Sequence, residues 1–300
     1  ADTQSIARQA AELIRIDYEL LPAVLDPVQA LEPGAPRVHP GGNLCTEYDV
    51  TGGNPQAGFA AADVVLEETF STQRISPGYM EPEVAMAAWN VRVSEDEPAH
   101  LQADRLKAGP PAPDACLTVW VSSQKPFYDA ADVAKVLALP PERVRVVGAV
   151  IGGAFGGRED SSIAVLAALA AWKTGCAVRL VTARSESFTG HPKRHPVQLR
   201  LRLGSTVDGR LTALEALVHM DTGAYASYGP AVGGLLTEVV PGAYNIPNAH
   251  VNTRVVYTNC PISGAMRGFG APQAHFALES LLDMLAVRLE LDPLELRRRN

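Results

Sequence analysis

Cysteines are few in this sequence, and none lies close to another. The four, Cys45, Cys116, Cys176 and Cys260, form no C-x-x-C pair among the 300 residues. This spacing argues against a zinc knuckle or an iron–sulfur cluster held by the chain, so we expect no metal ligands of its own. A disulfide framework is also disfavoured at this length, and we expect reduced thiols in a cytoplasmic protein.

Long apolar runs and an excess of basic residues are missing as well. No apolar stretch approaches the roughly 20 residues needed to cross a bilayer, so we expect no membrane span. The 26 Lys and Arg are outnumbered by 33 Asp and Glu, and the net charge of −7 argues against a nucleic-acid partner because phosphates bind clustered cations. The N-terminus has neither a Met nor the basic flank and apolar core of a secretory signal, so we expect a processed or truncated chain.

The first part of the chain predicts little regular structure. In residues 4–14 the apolar side chains recur on one helical face, and residues 15–19 alternate like a strand. We interpret residues 1–22 as the last helix and strand of a preceding domain. Residues 23–58 are rich in Pro and Gly without periodicity, and they predict a long surface connection at the start of a second domain, residues 23–300.

From residue 59 onward, helical and strand patterns alternate. This alternation predicts an α+β (mixed α/β) fold with antiparallel hairpins and packed helices. A charged, Pro-rich segment over 94–115 predicts a loop, and Ser161 is expected to cap a helix. The predicted strands are 64–70, 83–93, 116–121, 144–150, 177–182, 196–203, 211–220 and 251–257, and the predicted helices are 126–137, 161–173, 273–289 and a last one starting at Asp292-Pro293.

A glycine-rich segment over residues 152–160 lies between a predicted buried strand and a predicted helix. It holds four glycines around Phe155. Glycines let the backbone approach a ligand closely and expose N–H groups at a helix N-terminus. The segment fits neither G-x-G-x-x-G nor Gly-Lys-Ser/Thr, which disfavours nucleotide binding through those motifs. A tight strand–helix connection is the alternative, although a simple turn needs only one or two glycines.

A second glycine-rich segment, residues 263–273, also joins a strand to a helix. Small residues flank Arg267 there and leave its surroundings open to a ligand. Together the two segments suggest a pocket lined by backbone donors, an arginine and the rings of Phe155 and Phe269.

Both segments resemble the hallmark motifs of the molybdenum hydroxylases, the family of xanthine dehydrogenase, aldehyde oxidase and nicotinate dehydrogenase. Further stretches agree with the family, in its order, along essentially the whole chain. They are Tyr79-Met80-Glu81-Pro82, Val121-Ser122-Ser123-Gln124, Leu139-Pro140, His195-Pro196, Tyr244-Asn245-Ile246-Pro247-Asn248 and Asp292-Pro293-Leu294-Glu295-Leu296-Arg297. The resemblance implies a xanthine dehydrogenase-like molybdenum cofactor-binding domain over 23–300, preceded at 1–22 by the tail of a hammerhead-like domain.

The resemblance also implies which residues bind the cofactor. Gln124 would lie near the molybdenum oxo group and take part in catalysis. Phe155 and Gly156 would contact the metal centre, partly through the backbone, and Met266 and Arg267 would contact the pyranopterin. The metal of this family is held by the pterin dithiolene, which agrees with the lack of a ligand cluster in the sequence.

Substrate binding would fall to Glu159 and Phe269. In purine-oxidising members of the family, the carboxylate at the position of Glu159 hydrogen-bonds a ring nitrogen or oxygen, and Phe269 would stack on a flat substrate. Taken without the resemblance, these residues have ordinary structural interpretations. Gln124 could bond a strand end, Phe155 and Phe269 could be core aromatics, and Glu159 with Asp160 could be first-turn acids that stabilise a helix dipole.

Departures from the family pattern narrow the range of expected substrates. Gly268 stands where carbon monoxide dehydrogenases carry a cysteine, which argues against that activity. Leu235 stands where xanthine dehydrogenases have a substrate-clamping arginine, so a charged partner for xanthine is missing. Glu159 argues against the simple aldehyde oxidoreductases, which tend to be apolar there. We therefore expect an N-heteroaromatic (purine- or nicotinate-like) substrate other than xanthine.

The implied cofactor is molybdenum bound to molybdopterin, with the cytosine dinucleotide form as one option, and the implied reaction is hydroxylation with water as the oxygen source. Electrons would leave through 2Fe–2S clusters to FAD on partner subunits or domains. In the family the base glutamate belongs to a second molybdopterin domain, so we expect this chain to be catalytically incomplete alone. An aldehyde oxidoreductase and a non-catalytic cofactor scaffold are the rival functions.

Overall fold

The computed structural model describes residues 3–89, 115–160 and 162–300. Nearly all of the predicted loop 94–115, the end of the predicted strand 83–93 and the predicted cap Ser161 lie outside the described residues. The helices are α1 (Gln4–Glu12), α2 (Pro55–Ala60), α3 (Pro126–Leu137), α4 (Ser162–Thr174), α5 (Arg184–Gly190), α6 (Gly229–Val239), α7 (Ala271–Leu289) and α8 (Pro293–Arg299), and the strands are β1 (Leu44–Gly52), β2 (Val64–Thr72), β3 (Val84–Trp89), β4 (Leu117–Val121), β5 (Val144–Gly148), β6 (Val178–Val181), β7 (Val197–Ser205), β8 (Leu211–Gly223) and β9 (Ala249–Tyr257).

The N-terminal segment is exposed throughout its described length. Helix α1 starts at Thr3, whose hydroxyl accepts a hydrogen bond from the Ile6 N–H, and it buries no residue. The strand predicted over 15–19 is wrong, because residues 14–26 have no regular structure. An alternating pattern becomes a strand only when a second strand supplies its hydrogen bonds, and the described part of the chain supplies none here.

The surface connection predicted over 23–58 is wrong in its second half. Strand β1 pairs there with β9, from Leu44 opposite Val256 to Gly52 opposite Ala249. It lies at the edge of a sheet, where its side chains are mostly exposed or half-buried, so its sequence shows no apolar alternation. Helix α2 follows, with Asn54 accepting from the Ala57 N–H at its start.

Two mixed sheets, each covered by helices on one face, make up the fold. The larger has the strand order β1-β9-β8-β7-β2 and the smaller has the order β5-β4-β3-β6. The first core forms where α6 and α7 pack their apolar side chains, among them Leu236 and Leu281, on the larger sheet. The second core forms where α3 and α4, the latter through Ala164, Ala167 and Ala171, cover the smaller sheet.

Within each sheet one pair of strands is parallel, β4 with β5 and β8 with β9. A parallel pair needs a crossover, and α3 and α6 provide it. Helix α6 was not predicted, because Gly229, Pro230, Gly233 and Gly234 in its sequence resemble a loop. It forms because it packs tightly on the sheet: a Cβ on Gly233 would lie 2.6 Å from a methyl carbon of Val255.

The bounds of the remaining predicted elements agree with the structure to within a few residues. The burial predicted for the strand over 144–150 is wrong, because β5 lies at the edge of the smaller sheet and only Val144 in it is buried. The helix predicted over 126–137 coincides with α3, and the helix predicted from Asp292-Pro293 is α8, in which the Asp292 carboxylate accepts from the Leu294 N–H. The short helix α5 was missed. None of the helices formed by described residues is long and apolar enough to cross a membrane.

Candidate functional site

The predicted site residues follow the carboxyl ends of the parallel strands. Gln124 comes between β4 and α3, and the first glycine-rich loop comes between β5 and α4. The second glycine-rich loop comes between β9 and α7, and Tyr228 precedes α6 after the end of β8. Because parallel strands end at the same edge of their sheet, each sheet presents two of these connections side by side, which is where open α/β sheets bind ligands.

The two glycine-rich loops touch each other through their backbones. The Arg267 N–H donates a hydrogen bond of 2.8 Å to the Phe155 carbonyl oxygen. A Cβ on Gly156 would lie 2.8 Å from the Met266 Cα and 2.9 Å from the Ala265 carbonyl carbon, so only glycine permits this approach. The structure therefore brings Phe155, Gly156, Met266 and Arg267 together, as the pocket inferred from the sequence requires.

Left-handed backbone conformations are concentrated in the same loops. Phe155 has φ = 50° and Phe269 has φ = 43°, a region that side chains other than glycine seldom adopt. Such conformations persist where the surrounding structure imposes them, and they are frequent at functional sites. Phe155 also keeps 48% of its surface exposed, which argues against the alternative that it is a core aromatic.

A buried arginine anchors the first loop. Arg158 is 3% exposed, donates to the Glu81 carbonyl oxygen at 2.8 Å and lies 4.5 Å from the centroid of the Tyr79 ring. The Glu81 carboxylate in turn accepts from the Gly152 N–H and from the Ser122 hydroxyl. The Tyr79–Pro82 motif therefore holds the first glycine-rich loop in place through contacts with Arg158 and Gly152. The sequence did not reveal this role.

A second arginine anchors the other loop. Arg194 donates to the Arg267 carbonyl oxygen at 2.8 Å and to the Gln273 side chain at 3.2 Å. Gln273 donates to the carbonyl oxygen of His195, and burial lowers the pKa of His195 to about 3, so this ring is neutral near pH 7. Neither Arg194 nor Gln273 was singled out from the sequence, where nothing distinguishes them from surface residues.

Gln124 joins the first loop from the neighbouring strand. The side-chain oxygen of Gln124 accepts a hydrogen bond from the backbone N–H of Arg158 at 3.2 Å. The backbone N–H of Gln124 donates to the carbonyl oxygen of Arg158, also at 3.2 Å. The side chain is otherwise exposed. Its contact with the cofactor and its role in catalysis both stay predictions.

From the predicted role of Gln124 we expect its replacement with Ala to lower turnover of the complete enzyme roughly tenfold, the effect of losing a polar group at a reacting centre. The unfolding temperature will hardly change, because the side chain is exposed and makes one long hydrogen bond. The experiment compares steady-state turnover with thermal unfolding, using Gln56→Ala on the exposed face of α2 as the control. Unfolding of the variant with unchanged specific activity would show that Gln124 acts in packing alone.

The predicted substrate residues both interact with Tyr228. The Glu159 carboxylate is half-buried and interacts with the Tyr228 hydroxyl, and the Tyr228 ring meets Phe269 edge-on at 5.9 Å. Burial and the interaction with Glu159 raise the pKa of Tyr228, so the phenol stays protonated. Tyr228 was missed because the helix that it precedes was missed. A search for aromatic residues after each predicted strand could have found it.

Two more charged residues complete this end of the site. Burial raises the pKa of Asp160, whose carboxylate accepts from the Ser227 hydroxyl at 2.6 Å. Lys125 follows Gln124, and its Nζ lies 4.6 Å from the centroid of the Tyr228 ring and 5.0 Å from that of Tyr128. A cation over an aromatic face is attracted by the ring quadrupole, so both rings hold this ammonium in place.

The loops fit a cofactor that is rich in oxygen and carries its own metal ligands. Within the described ranges the N–H groups of Phe155, Gly156 and Gly268 donate to no protein acceptor. All three residues are exposed or half-buried, so a ligand can reach these donors. Free backbone donors of this kind suit anionic ligands. Among the side chains that the structure describes, no group of three or more His, Cys, Asp or Glu could hold a metal ion directly.

A separate cavity of about 230 Å³ lies behind the first loop. Glu83 and Arg158 both face it, and the Oε2 of Glu83 and the Nε of Arg158 find no partner among the described residues. Buried polar atoms of this kind are commonly satisfied by ordered water. The cavity contains neither Phe155 nor Phe269, so it is distinct from the meeting point of the loops.

Comparison with known proteins places the chain in a family. The family model of the molybdopterin cofactor-binding domain matches residues 38–95 and 90–300. The chain belongs to the molybdopterin cofactor-binding domain family. This finding confirms the resemblance inferred from the two glycine-rich segments.

Curated relatives of this molybdopterin-binding chain cover it almost entirely. It is 37% identical over 297 residues to the nicotinate dehydrogenase large molybdopterin subunit of Eubacterium barkeri, covering 99% of the chain and 65% of that protein. It is 37% identical over 300 residues to a probable xanthine dehydrogenase subunit of Bacillus subtilis, covering 100% of the chain and 37% of that protein. The chain thus spans less than two thirds of the length of these relatives.

Solved structures confirm the α+β fold of the domain. The aldehyde oxidoreductase of Desulfovibrio gigas superimposes with a TM-score of 0.88 at 31% identity, over 100% of this chain and 31% of that one. The quinoline 2-oxidoreductase of Pseudomonas putida 86 superimposes with a TM-score of 0.82 at 29% identity, over 100% of this chain and 36% of that one.

Proposed function

We propose that the chain forms part of the active site of a molybdenum-dependent hydroxylase that oxidises an N-heteroaromatic compound with water as the oxygen source. The observation that carries the proposal is that Glu159 and Phe269 both interact with Tyr228, while the loops that hold Glu159 and Phe269 are joined by the hydrogen bond from the Arg267 N–H to the Phe155 carbonyl oxygen. Two relatives are named for the oxidation of nicotinate and of quinoline, both N-heteroaromatic compounds, which agrees with this choice.

In the proposed site each group has one task. The N–H groups of Phe155 and Gly156, with the side chain of Gln124, would bind the cofactor, and Met266 and Arg267 would contact its pterin. A bound molybdenum cofactor would supply metal-assisted activation of water and a site that accepts electrons.

Residues of this chain would contact the substrate. Phe269 packs on its flat ring, and Glu159 accepts a hydrogen bond from a ring N–H or hydroxyl group. The Tyr228 phenol, which stays protonated, keeps the Glu159 carboxylate in place.

We propose further that the chain is catalytically incomplete alone. A second molybdopterin domain, together with 2Fe–2S and FAD partners, would complete the enzyme, and the cofactor can carry a cytosine dinucleotide. Residues 1–22 would be the tail of a preceding hammerhead-like domain, and 23–300 the first molybdopterin-binding domain. The exposure of the apolar residues in the first segment, with Leu20 at 92% and Leu13 at 81%, supports a partner for it.

Replacing Glu159 with Gln will lower kcat/KM about tenfold for N-heteroaromatic substrates that carry a ring N–H or hydroxyl group, because a charged hydrogen-bond acceptor is lost. Aldehydes have no ring N–H to offer, and their turnover will change by less than about twofold. The measurement is a panel of purines, hydroxylated pyridines and aromatic aldehydes on the purified complex, with Glu142→Gln on an exposed turn as the control. Equal loss on both classes would remove the reason to prefer heterocycles.

The same panel separates the rival functions. An aldehyde oxidoreductase would oxidise the aldehydes and leave the heterocycles unchanged, and this rival is favoured by the overlap with the Desulfovibrio gigas enzyme. A non-catalytic scaffold would show neither activity, and no assembly containing the chain would carry molybdenum.

A further inference from the structure

Lys193 is a buried cation that the proposed mechanism does not use. It is 6% exposed and lies in the connection between α5 and β7. Its ammonium donates to the carbonyl oxygen of Ser187 at 3.2 Å and to that of His191, both at the C-terminal end of α5. The buried Glu83 carboxylate attracts the ammonium as well. A buried ammonium needs such partners, so these contacts fix the side chain against the end of α5.

The backbone of Lys193 binds the start of the second glycine-rich loop. Its N–H donates to the Ile262 carbonyl oxygen at 3.2 Å, and its carbonyl oxygen accepts from the Gly264 N–H at 2.8 Å. The two segments are packed closely, since a Cβ on Gly264 would lie 2.8 Å from the Cβ of Pro192. The position of Lys193 is therefore tied to that of the second loop.

The end of α5 is linked in turn to the first glycine-rich loop. The Ser187 hydroxyl donates to the Glu83 carboxylate at 2.8 Å, and the same carboxylate oxygen accepts from the Tyr79 hydroxyl. The Tyr79 ring packs on the loop: a Cβ on Gly157 would lie 2.7 Å from a ring carbon, and the Arg158 guanidinium lies over the ring. Ser187, Glu83 and Tyr79 are all buried, so water does not compete for these contacts.

We propose that Lys193 is a positioning residue that sets the separation of the two glycine-rich loops. Its backbone holds the second loop, and its ammonium holds the first through α5, Glu83 and Tyr79. This connection acts in addition to the direct hydrogen bond from the Arg267 N–H to the Phe155 carbonyl oxygen. The inference rests on the proposed function, because the separation of the loops affects turnover only if both loops contact the cofactor. Lys193 itself contacts neither cofactor nor substrate in this proposal.

The test removes the charge of Lys193 and keeps an unbranched side chain. In the purified complex, hydrogen–deuterium exchange is measured by mass spectrometry for peptides from residues 152–160 and 263–273. We expect Lys193→Met to raise exchange roughly tenfold in both segments, because hydrogen bonds from a charged donor are lost and local opening becomes easier. We expect turnover to fall roughly tenfold with it, since small displacements at a catalytic centre are costly.

A conservative variant separates the charge from the packing of the side chain. Lys193→Arg keeps a cation that can donate to the same carbonyl oxygens. The cavity of about 230 Å³ behind the first loop, which Ser187 and His191 line, leaves room for the longer side chain. We expect Lys193→Arg to bring loop exchange and turnover most of the way back to the values of the unchanged complex. No recovery with arginine would contradict a role for the charge.

Arg143→Met is the matched control for a general loss of stability. The Arg143 guanidinium donates to the Ala115 carbonyl oxygen at 2.9 Å and lies 6.0 Å from the centroid of the Trp89 ring. Ala115 precedes β4, whereas Gln124 and the loops follow the other end of that sheet. This variant will lower the unfolding temperature and leave exchange in both loops unchanged. Equal exchange in the loops of Lys193→Met and Arg143→Met, or a change in one loop alone, would overturn the proposal.

Glu83→Gln tests the same connection from its other end, with the Lys193 side chain intact. We expect exchange in both segments to rise, and the double variant with Lys193→Met to exceed the larger single effect only slightly, because both changes break one connection. Fully additive effects would show that Lys193 does not act through Glu83.

Turnover on the panel of heterocycles and aldehydes decides separately on the proposed function. If the loops respond as expected and the complex oxidises no heterocycle, the proposed function is wrong and the connection through Lys193 stands. If heterocycles are oxidised and Lys193→Met changes neither loop exchange nor turnover, the proposed function stands and the assignment of Lys193 is wrong. Increased exchange with unchanged turnover would also overturn it, because the connection would then have no part in the reaction.

Discussion

Replacing Gly156 with Ala will separate the two glycine-rich loops and lower turnover of the complete enzyme roughly 100-fold, the effect expected of a displacement near 1 Å at a catalytic centre. The new Cβ would lie 2.8 Å from the Met266 Cα and 2.9 Å from the Ala265 carbonyl carbon. Both are backbone atoms and cannot rotate away as a side chain does. The φ of 94° at this position adds a strain of about 1–3 kcal/mol for a residue with a Cβ.

Three measurements follow from this change. Molybdenum per complex and turnover will both fall, and the temperature of unfolding will fall modestly because the strain is local. Gly190→Ala is the control, since a Cβ there meets nothing within 4 Å. A Gly156→Ala complex with full molybdenum content and normal turnover would mean that the contact between the loops has no part in holding the cofactor.

Replacing Asp221 with Asn will lower the free energy of unfolding by about 3 kcal/mol, the usual cost of leaving a buried charge without its partner. The carboxylate is 4% exposed and pairs with Arg74 at 2.5 Å. It also accepts from the Thr258 hydroxyl and the Gly223 N–H, both at 2.7 Å. The same Arg74 donates to Ser263 at 2.8 Å, so the change also loosens the start of the second glycine-rich loop.

Denaturant unfolding of the complex measures the change in the free energy of unfolding. The control is an exposed ion pair formed by Glu215, which lies in β8 like Asp221. Glu215 and Arg202 are 3.6 Å apart with side chains 47% and 41% exposed. Glu215→Gln will therefore change the free energy of unfolding by less than about 1 kcal/mol. Similar small effects of both substitutions would show that the Arg74–Asp221 pair does not hold the strand end and the loop together.

Much of the fold could be predicted from periodicity alone, where an element buries one face. Helix α3 and the strands β4 and β7 follow from their apolar patterns, because each packs against a core that removes those side chains from water. Strand β1 and helix α6 could not be found this way. The first is an exposed edge that depends on β9, about 200 residues away in the chain, and the second uses glycines to approach the sheet closely.

The residues of the candidate site also fall into two groups, those that the sequence indicates and those that it does not. Phe155, Gly156 and Arg267 lie in segments whose glycine content departs from that of an ordinary turn, so the sequence marks them directly. Arg158, Arg194 and Tyr228 carry no such signal. Each acts through contacts with residues far away in the chain, such as Arg194 with Gln273, and a linear pattern contains no information on such distances.

By itself the sequence determined the kind of ligand contact that this protein offers, two glycine-rich connections with an arginine and two aromatic rings, because backbone exposure and side-chain chemistry are local properties. Only the tertiary structure decided that these connections touch, through the Arg267 N–H and the Phe155 carbonyl, and that Lys125, Tyr228 and Glu159 share one end of the site. The physical reason is that the carboxyl ends of parallel strands converge only after two sheets have formed and packed, and packing depends on the whole chain.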